Sequence, residues 1–220
     1  MLLATIAAGL APGLALLCYF YLKDKYDQEP LSVVAKVFFS GALLVFPIMF
    51  IHYVLDTENL IASSIIESFI TVGLLEEFFK WFILYNMVYS HLVFDKPYDG
   101  IIYSSAVSLG FASAENILYL FANGLELAYS RALLPVSSHA IFGIIMGYYL
   151  GKAKFSSSPP LRWILLSLVI PTLLHGGYTY ILLTVEDWLL PIVFYMAFLW
   201  FLGIRKFRLG TLTEKNHHVY

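Results

Sequence analysis

Seven apolar runs of about 20 residues constrain the fold of this chain more than any other feature. A run of this length crosses the hydrocarbon core of a bilayer as an α-helix, because a helix satisfies its own backbone hydrogen bonds. The connections between the runs are short and polar, so residues 1–220 are expected to form a single integral membrane domain. The sequence therefore predicts an all-α, polytopic transmembrane helix bundle of about seven spans, at roughly 2–22, 33–54, 66–89, 101–122, 132–151, 161–184 and 188–204.

The composition agrees with membrane insertion and excludes several classes of function. Of the 220 residues, 60% are hydrophobic and only 13% are charged, about half the charged fraction of an average soluble domain. The net charge of −2 predicts no nucleic-acid partner. Cys18 is the single cysteine, which excludes an internal disulfide and a cysteine-based metal cluster. Met1-Leu2-Leu3 lacks the basic residues that begin a secretory signal, so we expect the first run to be a retained span.

The distribution of basic residues predicts the orientation of the bundle, because short cytoplasmic loops are enriched in lysine and arginine. With the N-terminus outside and the C-terminus inside, Arg131 alone lies at the outer face and Lys80 lies within a span. The outer connections then carry acidic residues such as Asp56, Glu58 and Glu126. The basic residues expected at the inner face are Lys23, Lys25, Lys36, Lys96, Lys152, Lys154, Arg162, Arg205, Lys206, Arg208 and Lys215.

Two adjacent glutamates, Glu76 and Glu77, lie in the middle of the third run, with Lys80 one helical turn further on. A charged side chain near the centre of a spanning helix costs roughly 2.5–3.5 kcal/mol on insertion scales. Three such groups within one short segment therefore indicate a functional site. One function that would require them is proton transfer inside the membrane. For Glu77, an ion pair with Lys80 that only supports the helix is the alternative.

Three further spans carry buried polar residues at a similar depth. With a rise of ~1.5 Å per residue, Glu115 and His139 lie ~10 Å, His175 ~14 Å and Glu76 ~15 Å from the outer ends of their helices. Taken singly, either histidine could be no more than an interhelical hydrogen-bond partner. The convergence of four ionisable residues from four helices instead predicts an active site.

The neighbouring residues predict how these helices pack. Small residues recur every four positions at Gly143, Gly147 and Gly151 after His139, a spacing that lets helix backbones approach closely in lipid. Asn116 is expected to make a helix–helix hydrogen bond rather than to take part in chemistry. The other histidines lie near span ends or in the tail and are expected to have no catalytic role: His52, His91, His217 and His218.

Two mechanisms for amide hydrolysis follow from these residues. In the first, Glu115, His139 and His175 bind zinc as a His₂Glu set with an open position for water, and Glu76 is the general base. In the second, no metal is bound: a glutamate activates water, and histidine and asparagine stabilise the oxyanion. The expected site residues are Glu76, Glu77, Glu115, His139 and His175, with zinc as the ion of the first mechanism.

Several short motifs lie in a fixed order along nearly the whole chain. They are Ala11-Pro12-Gly13, Tyr21-Leu22-Lys23-Asp24 with Glu29-Pro30, Glu76-Glu77-Phe78-Phe79-Lys80-Trp81, Phe111-Ala112-Ser113-Ala114-Glu115-Asn116, His139-Ala140 and His175-Gly176. In this order they resemble the PrsW membrane proteases of Gram-positive bacteria. The resemblance implies a multi-pass protease of the bacterial cell membrane that makes the site-1 cut in a single-span, membrane-anchored anti-sigma factor on its extracytoplasmic side. It also implies that this cut leads, after later steps, to release of a stress-response sigma factor.

The resemblance also implies a distant link to the CAAX-prenyl endopeptidase and bacteriocin-immunity group. In that group a double-glutamate motif with a downstream arginine and two later histidine motifs carry catalysis. Here Lys80 replaces the arginine at a shorter spacing and Glu115 stands where a histidine is expected, which argues against prenyl-protein processing. The alternatives to a protease are an ion-coupled transporter, disfavoured by the lack of a visible inverted repeat, and a non-catalytic membrane scaffold.

Overall fold

The computed structural model describes residues 2–24 and 28–217, with side chains up to residue 212, and these residues form helices without any strand. The predicted all-α bundle is confirmed. Lys25 and His218 lie outside the described residues, as do the side chains of Lys215 and His217. The helices are α1 (Leu2–Lys23), α2 (Leu31–Thr57), α3 (64–89), α4 (Asp99–Asn123), α5 (Leu125–Phe155), α6 (Pro160–Thr184) and α7 (Leu189–His217).

Helix α3 covers the predicted third span but changes its geometry along its length. Within the described residues, the other 6 helices are long and apolar enough to cross a membrane; α5 contains one π segment, Ala132–Val136, and α3 contains two. The π segments of α3 are Glu67–Leu74 and Tyr85–Tyr89, and the α-helical segment Leu75–Leu84 between them carries both central glutamates. A π segment rotates the side chains that follow it relative to a regular α-helix, and such segments are frequent at functional sites.

Helix α7 contains the last predicted span, 188–204, apart from its first residue, and continues beyond it. It runs over the 29 residues Leu189–His217 and is one of the longer helices. The apolar run marks only the part of the helix that suits lipid. Beyond Ile204 the helix continues through Arg205, Lys206 and Arg208. Lysine and arginine are good helix formers, so the helical backbone hydrogen bonds continue past the apolar run.

Helices α4 and α5 form the centre of the bundle. Residues 99–113 of α4 and 136–151 of α5 are buried throughout, although many of them are small or polar. The peripheral helices instead expose large apolar side chains, such as Phe39, Phe46 and Phe50 of α2, on the surface that suits lipid tails. Glu115 and His139 therefore lie on the two best-packed helices of the molecule.

The row of glycines on α5 makes the predicted close approach of backbones, here to α4 and to the residues just before it. A methyl group at Gly147 would collide with the carbonyl oxygen of Gly100, and one at Gly151 would collide with that of Pro97. At Gly143 the added carbon would lie 2.9 Å from the carbonyl oxygen of Ser104. These close approaches fix the register of the two helices, and with it the height of His139 relative to Glu115.

A buried ionic cluster fastens the α1–α2 connection to the start of α4, at what we call the Lys96 end of the bundle. The Lys96 ammonium lies 3.6 Å from Asp24, 3.5 Å from Glu29 and 3.6 Å from Asp99. Asp99 accepts hydrogen bonds from the backbone N–H of Asp95 and of Lys96, at 2.9 and 2.7 Å. The opposite end, which carries the turns between α4 and α5, is called the Arg131 end. Sequence reasoning did not single out this cluster, whose members come from separate segments.

Candidate active site

The two central glutamates of α3 share one lysine. The Lys80 ammonium donates to Glu77 Oε1 at 2.8 Å and to Glu76 Oε2 at 3.2 Å, and the side chains of Lys80 and Glu77 are fully buried. The expected pair between Glu77 and Lys80 is therefore present, and it includes Glu76 as well. A lysine shared by two carboxylates reduces the cost of holding three ionisable groups inside the bundle.

Both predicted histidines face this group. His175 Nδ1 lies 3.0 Å from Glu77 Oε1, and His139 Nδ1 lies 3.1 Å from the Lys80 ammonium. The two imidazole rings are 5.0 Å apart between centroids and nearly perpendicular. One ligand atom from each of Glu76, Glu77, His139 and His175 lies within 4.8 Å of the others, and all four residues are buried. We call these four residues the glutamate–histidine group.

The contact between α3 and α6 explains how His175 reaches Glu77. Gly73, in the π segment before the glutamates, lies so close to α6 that an added methyl carbon would be 2.9 Å from the Thr172 carbonyl oxygen and 3.1 Å from the Gly176 nitrogen. Gly176 in turn leaves room for the ring of Phe69. Small residues on both helices therefore allow the approach that brings the histidine next to the carboxylates.

Glu115 borders the glutamate–histidine group on the side of the Arg131 end. Its Oε2 atom lies 3.5 Å from His139 Nε2, and its Oε1 atom lies 3.2 Å from Arg131 Nη2. Its side chain is 35% exposed, whereas that of Glu77 is fully buried. Of the predicted site residues, the structure thus brings together Glu76, Glu77, His139 and His175, and it sets Glu115 one contact further out.

Arg131 is the site residue that sequence reasoning missed. Besides Glu115, its guanidinium contacts the Asn116 side-chain oxygen at 3.4 Å and lies 4.1 Å from the centre of the Tyr119 ring. The only signal in the sequence was its isolation as the one basic residue expected at the outer face. Asn116 also donates to the Gly9 carbonyl of α1 at 3.1 Å, so the predicted helix–helix hydrogen bond is present.

A cavity of about 300 Å³ lies between α2 and α4 and borders the site. Glu76 and Glu115 line it, whereas Glu77 does not. His52 is also in its wall, although we expected no role for this residue, and its Nε2 atom lies 2.9 Å from the Thr71 carbonyl oxygen of α3. Most of the wall is apolar, with Val45, Ile48, Met49 and Leu118 among the lining residues.

The glutamate–histidine group has the chemistry of a metal site. Two imidazoles and carboxylates are the donors that zinc prefers when thiolates are absent. Glu77 Oε2 is buried and has no hydrogen-bond partner within the described part of the chain, so one oxygen of the group is available to a cation. The residues therefore fit a divalent metal ion. Such an ion would, together with the Lys80 ammonium, balance the negative charge of the two glutamates.

Together these features define an integral membrane protein with a polar site inside its helix bundle, whose residues fit a metal ion. Residues 29–204 match the model of the PrsW family intramembrane metalloproteases. The chain is 56% identical over 204 residues to Protease PrsW of Bacillus subtilis (strain 168), which covers 92% of this chain and 94% of that protein. It is 34% identical over 194 residues to Protease PrsW of Clostridioides difficile (strain 630), with 84% and 82% covered.

The chain belongs to the PrsW family of intramembrane metalloproteases, as the motifs in the sequence indicated. It is accordingly a peptidase and a multi-pass bacterial membrane protein. No solved structure matches it.

Proposed function

We propose that this protein is an endopeptidase that cuts a single-span anti-sigma factor on its extracytoplasmic side, with Glu76 activating the attacking water. One observation carries the proposal: of the two adjacent glutamates, Glu76 reaches the cavity and Glu77 does not. A general base must lie within hydrogen-bond reach of the water that it deprotonates, so the glutamate at the cavity suits that role. Glu77, held by Lys80 and His175, suits a supporting one.

The proposed reaction is the hydrolysis of one peptide bond. Glu76 takes a proton from water as the water oxygen attacks the carbonyl carbon of the substrate. The carbon–nitrogen bond then breaks, and the proton held by Glu76 passes to the leaving amine. Glu77 orients His175 through the contact at 3.0 Å and keeps the Lys80 ammonium beside the base. The apolar wall of the cavity limits the water that competes with substrate near Glu76.

For the metal, we propose His139 and His175 as the nitrogen donors and Glu77 as the carboxylate ligand, because its Oε2 atom is buried and has no hydrogen-bond partner among the described residues. Glu76, which reaches the cavity, then remains the base. Zinc held there would polarise the substrate carbonyl and would make a water ionise near neutral pH. The sequence placed Glu115 among the ligands. That assignment stays a prediction, and the contact of Glu115 with Arg131 favours a role beside the ligands instead.

Replacing His175 with asparagine is expected to remove bound zinc as well as activity, because it deletes a nitrogen donor next to Glu77. Elemental analysis of the purified protein and cleavage of a reconstituted substrate measure the two effects. His91→Asn is the matched control, since His91 lies outside the site, and it should keep both. A strong chelator should inactivate the protein, and added zinc should restore it. Full activity in protein shown to be metal-free would refute the metal and leave the metal-free mechanism.

The orientation that the proposal requires places the Arg131 end outside the cell. In a Cys18→Ser background, a cysteine at Glu58 should react with a membrane-impermeant reagent in intact cells. A cysteine at Ser157, which is exposed in the α5–α6 connection, should react only after the cells are opened. The expectation follows from the excess of basic residues near the Lys96 end. Labelling of position 157 from outside would overturn the orientation.

Reconstitution tests the protease itself. Purified protein in liposomes is combined with tagged single-span anti-sigma factors, and the products are mapped by mass spectrometry. A single cut on the extracytoplasmic side of the substrate span, absent with Glu76→Gln, supports the proposal. Cleavage only of substrates other than anti-sigma factors would support the endopeptidase activity and refute the anti-sigma factor as the substrate. Proton or sodium flux without any cleavage would favour a transporter.

A further inference from the structure

We infer that Arg131 is a positioning residue of this site: through Glu115 it fixes the His139 ring with its Nδ1 lone pair turned toward the Lys80 ammonium, which also holds Glu76 and Glu77. The inference rests on the proposed function for its effect on activity, but its structural part can be measured without any substrate. It concerns a residue at the Arg131 end that touches no member of the glutamate–histidine group directly.

The first step is the tautomer of His139. Its Nδ1 atom lies 3.1 Å from the Lys80 ammonium, and an ammonium group can only donate hydrogen bonds. Nδ1 must therefore be the acceptor and carry the lone pair. In a neutral imidazole the proton is then on Nε2, at the opposite edge of the ring.

The second step is the partner of that proton. Glu115 Oε2 lies 3.5 Å from His139 Nε2, is buried, and has no hydrogen-bond partner within the described residues. A carboxylate at this position stabilises the ring with Nε2 protonated, and a small inward movement turns the contact into a hydrogen bond. This is the arrangement by which an outer carboxylate fixes a metal-binding histidine in many zinc proteins.

The third step is the group that holds the carboxylate. Arg131 Nη2 lies 3.2 Å from Glu115 Oε1, which leaves Oε2 directed at the histidine. The guanidinium is itself fixed by the Asn116 oxygen at 3.4 Å and by the Tyr119 ring at 4.1 Å, and its side chain is only 14% exposed. A planar guanidinium with three such contacts has little freedom, so it can orient a carboxylate that lies in the wall of a cavity.

The tautomer is tested by ¹⁵N–¹H spectra of histidine-labelled protein, in which ring nitrogens with and without a proton have different shifts. His139→Gln assigns the signals. In the unsubstituted protein we expect a proton on Nε2 of His139 and none on Nδ1. Arg131→Gln and Glu115→Gln should each broaden or divide that signal. A proton on Nδ1 of His139 in the unsubstituted protein would overturn the inference, whatever the outcome of the cleavage assay.

Kinetics with a reconstituted, tagged anti-sigma factor tests the effect on catalysis. Arg131→Gln should lower kcat about 10–100-fold with KM within about twofold, as found for outer partners of ligating histidines. Arg131→Lys should recover part of the lost kcat, since a lysine restores the positive charge but not the planar guanidinium with its several N–H donors. Adding Arg131→Gln to Glu115→Gln should cause no further loss, because the arginine acts through the glutamate.

Arg162→Gln is the matched control. This arginine also lies 4.1 Å from an aromatic ring, that of Trp163, but at the Lys96 end of the bundle, and its loss should leave both the spectra and kcat unchanged. Additive losses in the double variant, a rise in KM with kcat unchanged, or Arg131→Gln with full kcat and an unaltered Nε2 signal would each refute the positioning role. If Arg131→Gln does not accumulate, Glu115→Gln and Arg131→Lys provide the same two readouts.

Discussion

Replacing Glu76 with glutamine should abolish proteolysis while the protein still inserts and accumulates in the membrane. We expect kcat to fall by about 10²–10⁴, the usual contribution of a general base, because a glutamine cannot accept the proton of the attacking water. Glutamine keeps the shape of the side chain. Its amide oxygen can still accept a hydrogen bond from the Lys80 ammonium, which in the unsubstituted protein lies 3.2 Å from Glu76 Oε2. Cleavage of the reconstituted substrate and the amount of protein in the membrane are the two measurements.

Glu67→Gln is the control for this variant, since Glu67 lies on the same helix but outside the glutamate–histidine group. It should cleave normally. Glu77→Gln should also lose activity, although through its contacts with Lys80 and His175 rather than through contact with the cavity. A stable Glu76→Gln protein with normal turnover would show that this glutamate is not the base.

Replacing Lys80 with methionine should be among the most destabilising single changes in the bundle. Removal of one partner of a buried ion pair typically costs about 3–5 kcal/mol, because the remaining charge has no counter-ion. Here the loss leaves two buried glutamates and also deletes the contact of the ammonium with the Phe111 ring, at 4.2 Å. Thermal unfolding in detergent and the steady-state amount of protein should both report the change.

A second substitution separates this charge effect from lost packing. Lys80→Met combined with Glu77→Gln removes the most buried of the stranded charges, so it should regain part of the stability without regaining activity. Lys152→Met is the control, since this lysine lies over the Trp163 ring at 4.7 Å near the Lys96 end and makes no contact with the site. If Lys80→Met unfolds at the same temperature as the unsubstituted protein, Lys80 does not compensate the glutamates.

Much of the site could be predicted because the depth of a residue in the membrane can be estimated from its position in an apolar run. Each apolar run marks the part of its helix that suits lipid, and a rise of ~1.5 Å per residue then gives the approximate height of Glu76, His139 and His175. Their approach to one another in the structure agrees with that argument. The glycine row after His139 was predictable for a related reason, since only small side chains allow two backbones to touch in lipid.

The sequence by itself thus determined the class of fold, the segments that cross the membrane and the height of the polar residues. Only the tertiary structure decided which of the polar residues at similar heights are in contact with one another. It joined Glu77 to His175 directly and to His139 through Lys80, set Glu115 beside Arg131, and added the Lys96 cluster at the other end. The physical reason is that these contacts depend on the rotation of each helix about its axis. The π segments of α3 and the close approach of its Gly73 to α6 set that rotation, and neither follows from a period of 3.6 residues.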